Sequence, residues 1–178
     1  MKMNLIVLPR KKFNDDDLFN FLDILDGTNY IANKNREVST GIYNTKVLPD
    51  FDINEIFTMK ENHFDRIIFI SDEGFKDFLS LEIQAIFTRF LNSFKTVILC
   101  SLAQIAFLKM GLLTGRSITY NYDEFPEYIK YFNNSGVKLI TKHEYYVDKN
   151  LITLKGRDSI YNLGEDLNRI EENMENII

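Results

Sequence analysis

The sequence predicts an α/β fold: a three-layer sandwich in which a mostly parallel sheet carries helices on both faces. Short apolar runs, rich in Ile, Val and Leu, alternate along the chain with segments whose apolar residues recur every three or four positions. Continuous apolar runs are typical of parallel strands that are buried on both faces. Their alternation with amphipathic helices favours a parallel sheet between two helix layers.

The strands are predicted at the apolar runs, of which the run at 30–32 is the weakest. They are residues 4–8, 30–32, 45–48, 66–70, 96–99, 117–119, 137–141, 145–147 and 151–153. The polar segment 148–150 separates the last two runs and predicts a hairpin turn.

Helices are predicted where apolar residues share one helical face. Segment 15–26 presents Leu18, Leu22 and Leu25 on such a face. The other helical segments are 74–94, with an aromatic and aliphatic stripe, 102–110, which Gly111 would end, 123–132 and 158–174. The aromatic stripes are interpreted as core.

Composition predicts a single cytoplasmic domain over residues 1–178. Hydrophobic residues make up 45% and charged residues 26%, which is ordinary globular usage. The only cysteine cannot form an internal disulfide, so secretion is not indicated. The apolar run 5–8 is too short for a signal peptide or a membrane span. The net charge of −5 argues against nucleic acid as a partner.

Cys100 lies where a predicted strand turns into a predicted helix. A thiol at this junction would face the positive end of the helix dipole, which favours the thiolate and lowers the thiol pKa. This is the arrangement of a nucleophile elbow, in which a side chain is held at the top of a sheet. The alternative interpretation is that Cys100 is a small buried core residue.

Further candidate binding residues follow the carboxyl ends of the strands, where ligand sites of such sheets gather. They are Ser71, Asp72, Asn121, Gly156 and Arg157, together with the loop 9–17 after the first strand. One cysteine and two distant histidines do not form a metal-ligand set. Glycines do not cluster after the first strand, so no phosphate-binding loop is predicted. We therefore expect neither a metal nor a cofactor.

The run from Cys100 to Thr119, which contains Gly111-Leu-Leu-Thr-Gly-Arg116, resembles the nucleophile-elbow block of the DJ-one/ThiJ/PfpI superfamily, relatives of class I glutamine amidotransferases. Blocks elsewhere resemble that superfamily in order and spacing: 5–9 with 13–17, 47–50, 64–70, and 147–153 with Gly156. The resemblance spans nearly the whole chain. It implies a flavodoxin-like, class I glutamine amidotransferase-like fold and, by analogy, a homodimer.

The resemblance places Asp17 beside Cys100, because the superfamily has a glutamate at this point of its first helix. There the carboxyl would orient the thiol and hold a proton, and the two groups would titrate as a coupled pair. Asp is one methylene shorter than Glu. The alternative is simple capping: Asn14 looks like an N-cap, and Asp15, Asp16 and Asp17 fill the first turn, where the helix dipole favours acids.

Two features depart from the superfamily. Its histidine, after the cysteine or after the following strand, is replaced by Ser101 and Asn121, which cannot shuttle a proton near neutral pH. His63 is expected at the opposite end of the sheet, whereas His143 follows a predicted strand and stays a candidate. Ser71-Asp72 replaces two glycines, so the backbone N–H groups of Ser71 or Ser101 would have to bind an oxyanion in a crowded turn.

Two functions therefore stay open. The first is a cysteine-dependent hydrolase, hydratase or glyoxalase/deglycase-like enzyme that acts on a small electrophile. In it Cys100 attacks and Asp17 relays a proton. Asn121 binds the substrate together with backbone N–H groups of the rim, which is the set of loops at the carboxyl ends of the strands. The second is a non-catalytic or redox-sensing member with a role in stress response. In both cases we expect a small-molecule ligand rather than nucleic acid or membrane.

Overall fold

The computed structural model describes residues 1–59 and 63–177, and a seven-stranded sheet lies at the centre of this part of the chain. The strands are β1 (Met3–Val7), β2 (Lys11–Phe13), β3 (Thr28–Asn33), β4 (Ser39–Gly41), β5 (Lys46–Val47), β6 (Phe51–Asp52), β7 (Arg66–Ser71), β8 (Thr96–Ser101), β9 (Ser117–Ile118), β10 (Lys138–Leu139), β11 (Tyr145–Asp148) and β12 (Leu151–Leu154). The α-helices are α1 (Asp15–Ile24), α2 (Ile53–Thr58), α3 (Leu81–Asn92), α4 (Ala103–Lys109) and α5 (Asp158–Glu175). Shorter 3₁₀ helices span Lys34–Arg36, Glu73–Phe78 and Pro126–Phe132.

The central sheet has the strand order β11-β12-β8-β7-β1-β3-β6. Its neighbouring strands pair in parallel, except for the antiparallel hairpin of β11 and β12. This confirms the predicted mostly parallel sheet. Because the strands are parallel, the segments that follow β1, β7, β8 and β12 begin at the same edge of the sheet.

Two hydrophobic clusters cover the two faces of the sheet. Leu5, Val7, Ile67 and Phe69 belong to one cluster, with α2, α3 and α4. The residues between them along the strands belong to the other, with α1 and α5: Ile6, Leu8, Ile68 and Ile70. Successive side chains of a strand point to opposite faces, so a strand that is apolar at every position is buried on both sides. The three-layer sandwich is therefore confirmed.

The structure divides the predicted helix 74–94 into a 3₁₀ helix and α3. Ser80 interrupts it, because its hydroxyl accepts a hydrogen bond from the Ile83 N–H at 3.2 Å and so caps a new helix. The predicted helix 123–132 forms only the 3₁₀ helix Pro126–Phe132. The apolar periodicity is present in both segments, but it does not show where a helix breaks.

Several predicted strands lie outside the central sheet. The run at 45–48 contributes β5 to a small sheet of order β2-β4-β5. The runs at 117–119 and 137–141 pair with each other as β9 and β10. The run at 96–99 is longer than predicted, since β8 continues to Ser101. That extension decides which residue lies at the strand-to-helix junction.

Candidate functional site

The strand-to-helix junction falls on Ser101, one residue later than predicted. Cys100 still pairs with Ile70 of β7 and Leu154 of β12, so it is part of the sheet. Ser101 has a positive φ of 64°, and α4 begins two residues further on, at Ala103. A positive φ is rare for residues other than glycine and turns the chain sharply. Ser101 therefore has the backbone geometry of a nucleophile elbow.

The residue Ser101 is almost fully buried, and within the described part of the chain its hydroxyl makes no hydrogen bond to another protein group. The residue is 2% exposed. Its backbone is fixed on both sides: its carbonyl accepts a hydrogen bond from the Asn121 N–H at 3.1 Å, and it lies opposite Ser71 in the β7–β8 ladder. The fully enclosed side-chain atoms that lack a partner in the described chain include Oε1 of Gln104 and Oγ1 of Thr119 but not Oγ of Ser101. The Ser101 hydroxyl therefore keeps a small accessible surface at which a bound molecule could contact it.

The thiol of Cys100 lies in the apolar core below the elbow. It is fully buried in the cluster that includes Ile70 and Leu154. Its Sγ lies 3.8 Å from Oδ2 of Asp17. Burial raises the pKa of the Cys100 thiol well above its ordinary value, and the negative charge of Asp17 raises it further. The expectation of a lowered thiol pKa was wrong, because desolvation of the sulfur outweighs the helix dipole.

We expect Cys100 to be poorly reactive in the folded protein. Iodoacetamide at pH 8 should alkylate it at least about tenfold more slowly in native buffer than in guanidinium chloride, because only an exposed thiolate reacts. Mass spectrometry of timed samples measures both rates. A native rate that equals or exceeds the unfolded rate would contradict the burial and the raised pKa.

Asp17 belongs to the first turn of α1, but its carboxyl faces the interior. Asn14 caps the helix, since its side chain accepts a hydrogen bond from the Asp17 N–H at 3.1 Å. The Asp17 side chain, in a residue 1% exposed, accepts a hydrogen bond from the Arg157 N–H at 2.6 Å through Oδ1. Burial raises the pKa of Asp17 to about 7, although the bond from Arg157 opposes the shift.

Asp15, two residues earlier, shows how strongly local partners decide ionisation. Burial opposes the charge of Asp15, but hydrogen bonds from Thr45 and Tyr43 outweigh it and lower the pKa of Asp15. Asp15 thereby holds the small sheet against α1, with N···O distances of 2.9 Å from both backbone N–H groups. Of these two neighbouring acids, only Asp17 has a pKa suited to proton transfer near neutral pH.

Gly156 allows the chain to pass close to Asp17. A Cβ atom at this position would come within 2.8 Å of Asp17 Oδ2, and Gly156 has a φ of 102°. Both observations require glycine. The next residue, Arg157, presents its N–H to Asp17 and directs its guanidinium to Glu124, at 2.8 Å. The predicted contribution of this loop to the rim therefore has two parts: a backbone contact to Asp17 and a surface ion pair.

Ser71 and Asp72 adjoin the elbow, but several of their polar groups are already bonded. The Ser71 carbonyl accepts a hydrogen bond from the Leu102 N–H at 3.2 Å, and the Asp72 N–H donates to the Lys12 carbonyl at 3.1 Å. The Asp72 carboxyl caps the following 3₁₀ helix through the Glu73 N–H, at 2.8 Å. Burial raises the pKa of Asp72. The N–H groups of Asp72 and Leu102 are therefore both hydrogen-bonded within the protein.

A hollow of about 180 Å³ is lined by three of the predicted site residues, Asn121, Gly156 and Arg157. Ser101 does not line it, and the connection to the elbow is the hydrogen bond from the Asn121 N–H to the Ser101 carbonyl. Lys155 also lines it and is held by Asp123, at 2.9 Å, and by the hydroxyl of Tyr122, at 3.0 Å. Two ion pairs, Lys155–Asp123 and Arg157–Glu124, thus tie the segment after β9 to the loop after β12.

The two histidines do not join Asp17 and Cys100. His143 is exposed and packs against the ring of Tyr146, with ring centroids 5.9 Å apart. His63 is exposed and precedes β7, at the other edge of the sheet. Within residues 1–59 and 63–177, no three His, Cys, Asp or Glu side chains are grouped so that they could hold a metal ion.

Gln104 is a buried residue near the site that the sequence analysis missed. Its side-chain amide donates hydrogen bonds to the carbonyls of Thr119, at 3.0 Å, and Leu154, at 2.9 Å. It therefore joins α4 to the ends of β9 and β12 around the elbow. A glutamine among apolar helix positions three residues after Ser101 was the available signal, because a buried amide must be hydrogen-bonded.

The architecture and the elbow define a flavodoxin-like, class I glutamine amidotransferase-like fold. Solved structures of DJ-1/ThiJ/PfpI proteins share it. Drosophila melanogaster DJ-1beta aligns with a TM-score of 0.78 and 18% identity, over 97% of this chain and 90% of that chain. A ThiJ/PfpI domain protein from Brachyspira murdochii aligns with a TM-score of 0.78 and 14% identity, over 99% of this chain and 97% of that chain. The putative protease I from Bacteroides thetaiotaomicron aligns with a TM-score of 0.72 and 17% identity, over 98% of this chain and 99% of that chain.

The likeness extends over nearly the whole chain, so the predicted DJ-one/ThiJ/PfpI-type fold is confirmed. No protein-family model matches the sequence, and the search of curated proteins returned no match. In the described residues, no helix is both long enough and apolar enough to cross a membrane.

Proposed function

We propose that the protein is a ThiJ/PfpI-like enzyme that acts on a small electrophile, with Ser101 rather than Cys100 as the nucleophile. The observation that carries this proposal is the positive φ of Ser101 at the strand-to-helix junction, together with its unpartnered hydroxyl. A strained backbone at a residue other than glycine persists only when the surrounding structure imposes it, and such residues cluster at active sites.

The reaction would be addition of the Ser101 hydroxyl to a carbonyl carbon, as in a hydrolase, a hydratase or a glyoxalase/deglycase-like enzyme. A serine hydroxyl is a weak nucleophile until a neighbouring base takes its proton. Asp17 is the candidate base: it lies beside the preceding residue, and a carboxyl with a pKa of about 7 can accept and return a proton near neutral pH. Asp17 thus keeps the proton-relay role that the sequence suggested.

The remaining predicted site residues would bind the substrate. Asn121 and Arg157 line the hollow of about 180 Å³ and offer an amide and a cation to a polar group of the substrate. Oxyanion binding by the N–H groups of Ser71 and Ser101 stays a prediction. The engaged N–H groups of Asp72 and Leu102 do not favour it.

A non-catalytic protein is the second candidate, and the burial of Cys100 favours it. A thiol with a raised pKa and no exposure is a poor nucleophile and a poor redox sensor. If Ser101 is equally unreactive, the elbow would be retained only as part of the scaffold.

Turnover of methylglyoxal and of a p-nitrophenyl ester tests the proposal with two matched variants. We expect Ser101→Ala to lower kcat/KM at least about a hundredfold, because it removes the attacking oxygen. Cys100→Ala, one residue away, should retain activity within a fewfold. Circular dichroism and the urea midpoint of each variant show whether it is folded.

Two results would decide against Ser101 as the nucleophile. Activity that survives in Ser101→Ala but disappears in Cys100→Ala would return the role to the thiol. A wild-type protein that turns over neither compound and takes up no fluorophosphonate at Ser101, as read by mass spectrometry, would favour the non-catalytic candidate.

The homodimer stays a prediction drawn from the resemblance, and the cytoplasmic location stays a prediction drawn from the composition. Tyr43 and Leu48 in and beside the small sheet are 64% and 76% exposed, and this apolar surface is of the kind that a second copy of the chain would cover.

A further inference from the structure

The surface around β2 is basic, although the chain carries a net charge of −5. Two adjoining hollows, of about 380 Å³ and about 420 Å³, share the side chains of Lys11 and Lys12. We call them together the basic hollow. Arg10 and Lys76 line the first part, and Lys46 lines the second.

The acids of the basic hollow are already paired with two of its cations. Arg10 binds Asp77 at 2.8 Å and also lies 3.6 Å from Glu37. Lys12 lies 3.5 Å from Glu73. Glu37, Glu73 and Asp77 are the acids that line the hollow. Their three charges are thus opposed by Arg10 and Lys12, and the other lysines remain uncompensated.

Lys11, Lys46 and Lys76 are these uncompensated cations. All three are exposed, and within the described residues none has an acidic partner. Lys46 contacts only a neutral group, the hydroxyl of Thr40, at 3.1 Å. The hollow therefore carries a net charge of about +2, from five cations and three acids.

The backbone that carries the shared lysines is fixed rather than loose. Lys12 has a positive φ of 61°, and its carbonyl accepts the hydrogen bond from Asp72. Gly74 packs against the Lys11 carbonyl so closely that a Cβ would come within 1.9 Å of that oxygen. These contacts hold the backbone of both lysines at the wall of the hollow before any ligand binds.

We propose that the basic hollow binds a small anion that carries two or more phosphate groups. Lysine ammonium groups are strong, compact phosphate ligands, and each part of the hollow has the volume of a small-molecule site. No aromatic side chain is among its described lining residues, so a base would gain no stacking. The overall negative charge opposes a long nucleic acid. This binding does not depend on chemistry at Ser101.

Isothermal titration of the full chain with inorganic pyrophosphate and tripolyphosphate, at low salt, tests the proposal. The double variant Lys11→Gln with Lys76→Gln should weaken tripolyphosphate binding at least about tenfold. The control is Lys138→Gln with Lys142→Gln, which changes the net charge equally at two exposed lysines outside the hollow. The control should bind within about twofold of the wild type. Wild-type binding should also weaken as salt is raised.

Three outcomes would overturn the proposal. The first is the absence of binding to either phosphate compound at millimolar concentration. The second is an equal loss of affinity in the two double variants, which would show that only the overall charge matters. The third is retained affinity in the Lys11/Lys76 variant, which would show that these lysines do not bind the phosphates. Circular dichroism of both double variants shows whether they are folded.

Discussion

Replacing Glu171 by Gln is expected to lower the free energy of unfolding by about 1.5–3 kcal/mol, because it removes one of the two carboxylates, Glu171 and Asp26, that pair with the buried guanidinium of Arg66. Arg66, at the start of β7, is fully buried and has its guanidinium bonded to both carboxyl oxygens of Glu171 on α5. Thr96 of β8 donates to the same carboxyl at 2.6 Å. Urea unfolding followed by circular dichroism measures the loss.

Glu172→Gln is the matched control, since the neighbouring carboxyl is exposed and should change stability by less than about 0.5 kcal/mol. A second variant separates the weakened ion pair from lost packing. Arg66→Met combined with Glu171→Leu removes both buried charges and leaves Asp26, whose side chain is 60% exposed, to water, so it should recover much of the stability. Equal stability of Glu171→Gln and Glu172→Gln would mean that water reaches Arg66 and that the pair contributes little.

The sequence predicts the central sheet well because its strands are buried on both faces. Each of β1, β7 and β8 contains an uninterrupted apolar run of three or four residues, a pattern that is typical of strands buried on both faces. Two strands of the small sheet, β2 and β4, were missed for the opposite reason. Strand β2 begins with two exposed lysines and is held by contacts distant in sequence, such as the bond from Asp72 to the Lys12 carbonyl. Local pattern carries no signal of such contacts.

The helix α2 was missed although the sequence contained its signal. Asp52 accepts a hydrogen bond from the Asn54 N–H at 3.0 Å, and Glu55 accepts one from the Asp52 N–H at 3.0 Å, which together cap the helix start. An acid followed three residues later by Glu, before an apolar pair, was readable. The helix has only six residues, and so its apolar periodicity is too short to recognise.

At the site, the sequence indicated the right neighbourhood but the wrong residue of the turn. Asp17 does lie beside Cys100, and the loops after β7, β9 and β12 meet β8 there. The last residue of a strand cannot be read from an apolar run, because it depends on which neighbours continue the ladder. Here Ser71 extends the pairing to Ser101. The positive φ of Ser101 ends the regular strand, and this separates the thiol buried in the sheet from the hydroxyl at the elbow.

The thiol pKa was predicted in the wrong direction for a related reason. The helix dipole can be anticipated from the order of strand and helix, whereas burial cannot be known until the layers are packed. Around Cys100, α1 and α5 close over the sheet and leave no exposed surface. Desolvation destabilises the thiolate of Cys100 by more free energy than the helix dipole stabilises it, so the thiol pKa rises.

Asp17→Asn is expected to make the protein more stable than the wild type at high pH but not at low pH. The carboxyl has an ordinary pKa of 3.8, and in the folded protein the pKa is about 7. Between these values the folded state binds a proton that the unfolded state has released, so wild-type stability falls as the pH rises through this window. Asp17 contributes about 2–4 kcal/mol to this loss of stability, and the loss is complete above pH 7. Asparagine has no such proton, so its advantage should grow by this amount from pH 4 to pH 8.

Urea unfolding of both proteins at several pH values measures that difference, and Asp16→Asn is the control. Asp16 belongs to the same helical turn and its side chain is exposed, so its replacement removes an acid from the same dipole without touching the buried site. Comparing differences removes the pH response of the other carboxyls, which all three proteins share. A constant difference for Asp17→Asn would mean that Asp17 is ionised throughout in the folded protein. It could then not return the proton that the proposed reaction at Ser101 needs, and the non-catalytic candidate would become the better one.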